Sequence, residues 1–251
     1  MSRNFSLIRL VLVILVLTSM FMSITSIPPS VFAFLQKLDA NNNRDWFNAH
    51  KAEYQQAQLH VVSFVDELLN RLKETDQITT VSGKKSLMRI YRDVRFSNDK
   101  RPYDPRFAGS FSRIKPQLRG GYFFRFKPNE TVVGGGFYQP NSEDLKLIRA
   151  QIAQDDTPLR EVIEGEVFKE TFGELMGEKV KTAPKGYAKD HPSIDLLRHK
   201  SMYAFRSFSD EEVHADDFLE KALAVFLAIR PFFDVMTEYL TTDLNGISLI
   251  D

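Results

Sequence analysis

Between Trp46 and Leu72 the apolar residues Tyr54, Ala57, Val61, Phe64, Val65, Leu68 and Leu72 recur at steps of three and four. At 3.6 residues per turn that spacing predicts one amphipathic helix of about seven turns, its apolar residues on a single stripe. A stripe that long must be covered by another apolar layer, because leaving it in water forfeits the free energy of burial. The remaining chain can supply the cover. Of its 251 residues 43% are apolar, 21 are Phe and only 26% are charged, which is the composition of a folded domain with a sizeable core.

The covering elements can be read on either side of that helix. Pro28-Pro29-Ser30 breaks the chain and starts a helix carrying Val31, Phe34, Leu35 and Leu38, and Asn41-Asn42-Asn43 ends it and can cap the next. Residues 120–127, GGYFFRFK, alternate Tyr122, Phe124 and Phe126 against Phe123, Arg125 and Lys127, the period of a strand. A turn at 127–130 leads to a returning strand, TVVGGGFY, at 131–138, and Phe107–Ile114 and Ser201–Phe208 are further strand candidates. Asn141 caps a helix with Leu145, Ile148 and Ile152 on one face. Ser209 to Glu212 reads as a capping box opening a long helix through Leu227, which Pro231 kinks or ends before a last turn or two to Tyr239. The expectation is an α+β fold: a small, mostly antiparallel sheet (about 107–138 plus 201–208) packed against long N- and C-terminal helices, as a single domain over 28–251.

Residues 1–27 are set apart. They hold Arg3 and Arg9, no acid, and an unbroken apolar run from Leu10 to Leu17. That layout fits a secretory segment, and it equally fits a mis-called extension ahead of Met20 or Met22. A start at either Met implies a cytoplasmic protein. Otherwise the chain is secreted or membrane-anchored through this segment, which is the only membrane contact the sequence offers. With no cysteine, disulfides and thiolate chemistry are excluded.

Charge is sorted along the chain although the net charge is zero. Residues 84–127 carry 13 Lys/Arg against 3 Asp/Glu, a net of +10, while 138–178 and 209–251 carry nets of −6 and −8. Within the basic block, RIYRDVRFSNDKRPYDPRF at 89–107 gathers six cations, three aspartates and four aromatic rings. Three carboxylates cannot neutralise six cations, so distant acids or a bound anion must help.

Familiar machinery is missing. Ser82-Gly83-Lys84-Lys85-Ser86 resembles the end of a phosphate loop, but Ile78 stands where its first Gly is required. Gly134-Gly135-Gly136 precedes a helix whose first turn holds Glu143 and Asp144; these would repel an anion, so a bulge or close packing explains the glycines better. The five His form no metal-binding pattern, and no cofactor motif is present. His50, four residues after Trp46, should pack beneath the indole. Asp190-His191-Pro192 would hold an imidazole rigidly, either as an acid/base or as a structural hydrogen-bonding group. A mixture of Arg and aromatics on a sheet also fits single-strand nucleic acid, but from Met22 onward 31 cations face 33 acids, which argues against that partner.

Four stretches then combine: NNNRDWFNAHKAEY (41–54), RIYRDVRFSNDKRPYDPRF (89–107), GGGFYQPNSEDLKLIR (134–149) and KTAPKGYAKDHPSIDLLRHKS (181–201). In order and spacing they resemble the family called domain of unknown function 2461, over roughly Ser30 to Tyr239. The resemblance implies a single-domain protein and brings no activity, substrate or catalytic residue. Asp104 stands where the family often has Lys, which weakens a positive site here.

Two readings remain, and neither fixes whether the protein is an enzyme. In the first, the protein binds or turns over a small phosphate- or carboxylate-bearing ligand. Arg89, Arg92, Arg95 and Lys100 would contact the anion, Asp93 and Asp99 would orient them, and Tyr91 and Tyr103 would donate or stack. Arg44, Lys51 and Lys185 would complete the pocket, with His191 as the acid/base. In the second, the Arg/Asp stretch is an internal salt-bridge network of a structural or protein-interaction module.

Overall fold

The computed structural model describes residues 24–250, so the Leu10–Leu17 run lies outside the described residues. Among the described residues ten helices and one four-stranded antiparallel sheet make an α+β fold, as the two periodicities predict. The order of elements is α1 (Pro29–Ala40), α2 (Arg44–Ala49), α3 (Lys51–Lys73), α4 (Gly83–Ser86), β1 (Phe107–Ser112), β2 (Gly121–Phe126) and β3 (Thr131–Phe137). There follow α5 (Ser142–Gln154), α6 (Thr157–Ile163), α7 (Glu166–Phe172), α8 (Ile194–Leu197), β4 (Met202–Phe208), α9 (Asp210–His214) and α10 (Phe218–Thr241). The sheet runs β1-β2-β3-β4 in space, so β1 and β4 form opposite edges.

The core lies between one sheet face and the helices α3 and α10. Tyr122, Phe124 and Phe126 are fully buried, and Tyr122 meets Phe226 and Phe233 of α10 at ring separations of 4.9 and 5.1 Å. Phe64 of α3 meets Phe126 edge-on at 5.6 Å. The triple glycine is close packing without a bulge, since the β3–β4 register runs unbroken from Thr131↔Phe208 to Phe137↔Met202. A Cβ on Gly135 would sit 2.8 Å from the Phe233 ring and 2.4 Å from the Gly121 carbonyl, so only glycine lets α10 lie this close. The fold also reaches back before Pro28: Ile27 is fully buried, and its N–H donates to Val213 O (3.1 Å).

Three boundaries differ from the sequence reading. The long stripe from Trp46 is two helices, broken at His50 (φ −107°, ψ 21°). There the His50 ring stacks on Trp46 at 4.0 Å as expected, and its Nδ1 donates to Trp46 O (2.8 Å). This local bond closes α2, while the spacing of apolar residues passes through the break unaltered. The capping box at Ser209 is present but opens only the short α9; the long helix starts after Asp217. That helix continues through Pro231 to Thr241, held by thirteen buried residues that outweigh one missing hydrogen bond.

Candidate functional site

Residues 87–106 leave the core as an arm that folds back on itself. It is rooted on β1 by Met88 N–H donating to Ala108 O (2.8 Å). Its two limbs are tied by Arg92 N–H to Pro102 O (2.9 Å), Asp104 N–H to Ile90 O (2.8 Å) and a Tyr91–Tyr103 bridge. Asp99 organises the tip. It accepts from the Arg92 guanidinium (2.6 Å), the Arg101 guanidinium (2.9 Å to Nη2) and the Arg101 backbone N–H (3.0 Å). Arg101, then Arg92, holds the Asp99 carboxyl well below the usual carboxylate range. Lys100 closes the tip by donating to Val94 O (3.0 Å).

The arm docks on α2 and the loop before it. Asn42 forms a two-way clamp, its amide donating to Tyr103 O (3.0 Å) and its carbonyl accepting from Tyr103 N–H (3.1 Å). Phe47 stacks on the Tyr103 ring at 4.1 Å, and Arg101 reaches Asp39 of α1 (2.9 Å). Between arm and helix lies an open cleft of about 280 Å³ lined by Arg44 and Asn48 of α2 and by Tyr91, Arg92, Val94, Pro102 and Tyr103 of the arm.

The polar groups facing this cleft are mostly donors without acceptors. Among the described residues Arg44 makes no ion pair, and the Tyr91 and Tyr103 hydroxyls and the Asn48 amide make no hydrogen bond. Arg92 commits only one nitrogen, to Asp99 and Arg101 O. Burial pushes the Tyr103 phenol up, with a further rise from Tyr91 and a partly opposing pull from Arg44, so these three groups converge. Asn48 was missed by the sequence reading. Its signal is its place four residues after Arg44, on the same helical face.

The other sequence candidates stand elsewhere. Arg95 and Asp93 pair with each other (2.7 Å) in the open, Arg95 with 77% of its side chain exposed. Arg89 is exposed on the outgoing limb, and Lys51 is exposed in the first turn of α3. Lys185 and His191 belong to the segment between Met176, which pairs with Tyr203 of β4 (2.8 and 3.1 Å), and the turn before β4, where Val180 N–H donates to Arg198 O (2.8 Å) and Lys179 bridges to His199. That is the sheet edge opposite the arm, three strand spacings of about 4.8 Å away. His191 Nδ1 accepts from Ser193 N–H (3.1 Å), which is the structural use of the ring. The four sequence motifs thus meet in two pairs: 41–54 with 89–107, and 134–149 with 181–201. In the second pair, Arg149 donates to Leu197 O (2.9 Å) and His199 O (3.1 Å).

A buried polar network lies beneath β1 and β2, at positions the sequence reading left unmarked. Arg113, 3% exposed, has Nε 2.8 Å from Asp76 and Nη2 2.9 Å from Asp234, and donates to Arg119 O (3.0 Å). The Tyr122 hydroxyl donates to Asp76 (2.5 Å), and burial followed by that bond pushes its pKa far up. These groups tie the 76–78 turn, the sheet and α10 together.

A family model described as "conserved hypothetical protein", domain of unknown function 2461, matches residues 30–235. No curated protein and no solved structure matches the chain.

Proposed function

This chain belongs to the family of domain of unknown function 2461, and from the geometry of its cleft we propose that it binds a small phosphate- or carboxylate-bearing ligand between α2 and the arm. The observation that carries this reading is the set of unpaired donors. Arg44, the free nitrogens of Arg92, the Asn48 amide and two phenols line one cleft with no carboxylate among the lining residues. Guanidinium groups suit oxyanions because they donate in a planar fork. Binding is favoured over turnover, since no lining residue is a His, Asp or Glu that could move a proton near neutral pH.

A second reading has its own support. Each aspartate of the arm already holds an arginine: Asp93 with Arg95, Asp99 with Arg92 and Arg101, and Asp104 with Arg106. That is an internal network, but one exposed to water and salt, where such pairs contribute little stability.

A thermal-shift series separates the two. Inorganic phosphate and small carboxylates should raise the Tm of the wild type in a saturable way. Arg44→Ala should keep the unliganded Tm and lose the shift, because Arg44 has no protein partner to abandon. A wild-type Tm indifferent to every anion, together with a lower intrinsic Tm in Arg92→Ala, would overturn the binding reading in favour of the network.

A further inference from the structure

We infer that the ligand of this cleft carries a planar ring next to its anionic group, an inference that rests on the anion-binding reading. The cleft has two halves. The donors of Arg44, Asn48 and Tyr103 make a polar half, whereas Val94, Pro102 and the ring of Tyr91 offer no charge.

Tyr91 is the informative residue. Its ring is large and apolar apart from the hydroxyl, yet the residue is 58% exposed. It is also fixed in place: its backbone bridges to Tyr103, and the next residue donates to Pro102 O (2.9 Å). The ring is inclined to Phe47 by 66° at 6.0 Å and to Tyr103 by 51° at 5.2 Å, so it is stacked flat on neither, and the residue keeps more than half of its surface in solvent. Much of the ring is therefore offered to solvent at the cleft, where a second ring could stack on it. Arg92 adds another planar surface. Its guanidinium is held by Asp99 at 2.6 Å and can stack on a ring while its free edge faces the anion.

Size limits the class. A volume of about 280 Å³ lies below the range of pockets for drug-sized ligands, about 300–1,000 Å³. The cleft can cover one ring system and one anionic group, and a longer ligand would extend from it into solvent. Mononucleotides and aryl carboxylates have this chemistry.

Calorimetric titration of the full chain with two matched pairs tests the inference. AMP is compared with ribose 5-phosphate, and benzoate with cyclohexanecarboxylate, with inorganic phosphate as the common reference. In at least one pair the aromatic member should bind about tenfold tighter or more, as aromatic stacking supplies. Tyr91→Leu should bring that pair to within about twofold, and Tyr91→Phe should restore the preference. Equal affinities within both pairs, with ribose 5-phosphate still bound through Arg44, would overturn the ring and leave the anion site standing. No binding of any of these compounds, phosphate included, would overturn both.

Discussion

Arg113 shows how one residue's surroundings decide what its charge does. Several arginines of the basic block stay in water, whereas Arg113 is taken inside with Asp76, whose side chain is only 3% exposed. Two charges removed from water repay their desolvation only while they hold each other, so deleting one is costly. Arg113→Ala should lower unfolding stability by about 3–5 kcal/mol in urea denaturation; a loss under about 1 kcal/mol would contradict the role given to the network. Nothing in the sequence separates Arg113 from its neighbours. The pairing spans 37 positions and depends on a bridge between Ile78 and Arg113, which only the assembled sheet provides. Arg92 was legible as a candidate because a cation excess is visible along residues 84–127, and Arg44 because it lies in the polar motif at 41–54. Their unequal pairing, with Asp99 for Arg92 and nothing for Arg44, was not.

At the scale of elements, periodicity placed all four strands and the longer helices, because alternation and the 3.6-residue stripe are direct records of which face is buried, and it left the short α4, α6, α7 and α8 unread. It failed at His50 and at Ala215–Asp217, where side-chain and backbone bonds end a helix without disturbing the spacing of apolar residues. Pro231 is the reverse case, a strong local stop signal overruled by packing. It is exposed, and the carbonyl of Leu227, itself 40% exposed, loses its helical donor there. Pro231→Ala should restore that hydrogen bond and stabilise the protein by about 1–2 kcal/mol, once the greater freedom of the unfolded chain is set against the gain. A lower urea midpoint in the variant would mean that the proline ring itself packs usefully.

For the whole molecule, the charge blocks meet only in part. Acidic helices do neutralise the sheet at Arg113–Asp234 and Arg119–Asp144, yet the arm's three aspartates pair only within the arm, and Arg44 and part of Arg92 stay open at the cleft. Residues from the motifs at 41–54 and 89–107 line the cleft together. Lys185 and His191 stand beyond the other edge of the sheet, because adjacency across a sheet depends on strand order, which motif order does not reveal. The tyrosines are a property of the whole core. Burial raises the pKa of Tyr54, Tyr103, Tyr122, Tyr187 and Tyr239, the last to about 12. Since the folded values lie above the unfolded one of about 10, the unfolded chain releases these protons first. Their stabilising contribution is complete below about pH 10 and is lost as the pH rises from there toward 12. Tm should therefore fall steeply over that window, with a shallower fall in Tyr239→Phe, and a flat profile would contradict it. The central claim is that the cleft is an anion site built on Arg44 and Arg92, and calorimetric titration of inorganic phosphate into wild type and Arg44→Gln tests it most directly. The account predicts saturable one-site binding to the wild type and none to an equally stable variant; no saturable heat in the wild type, or the same Kd in both, would contradict it.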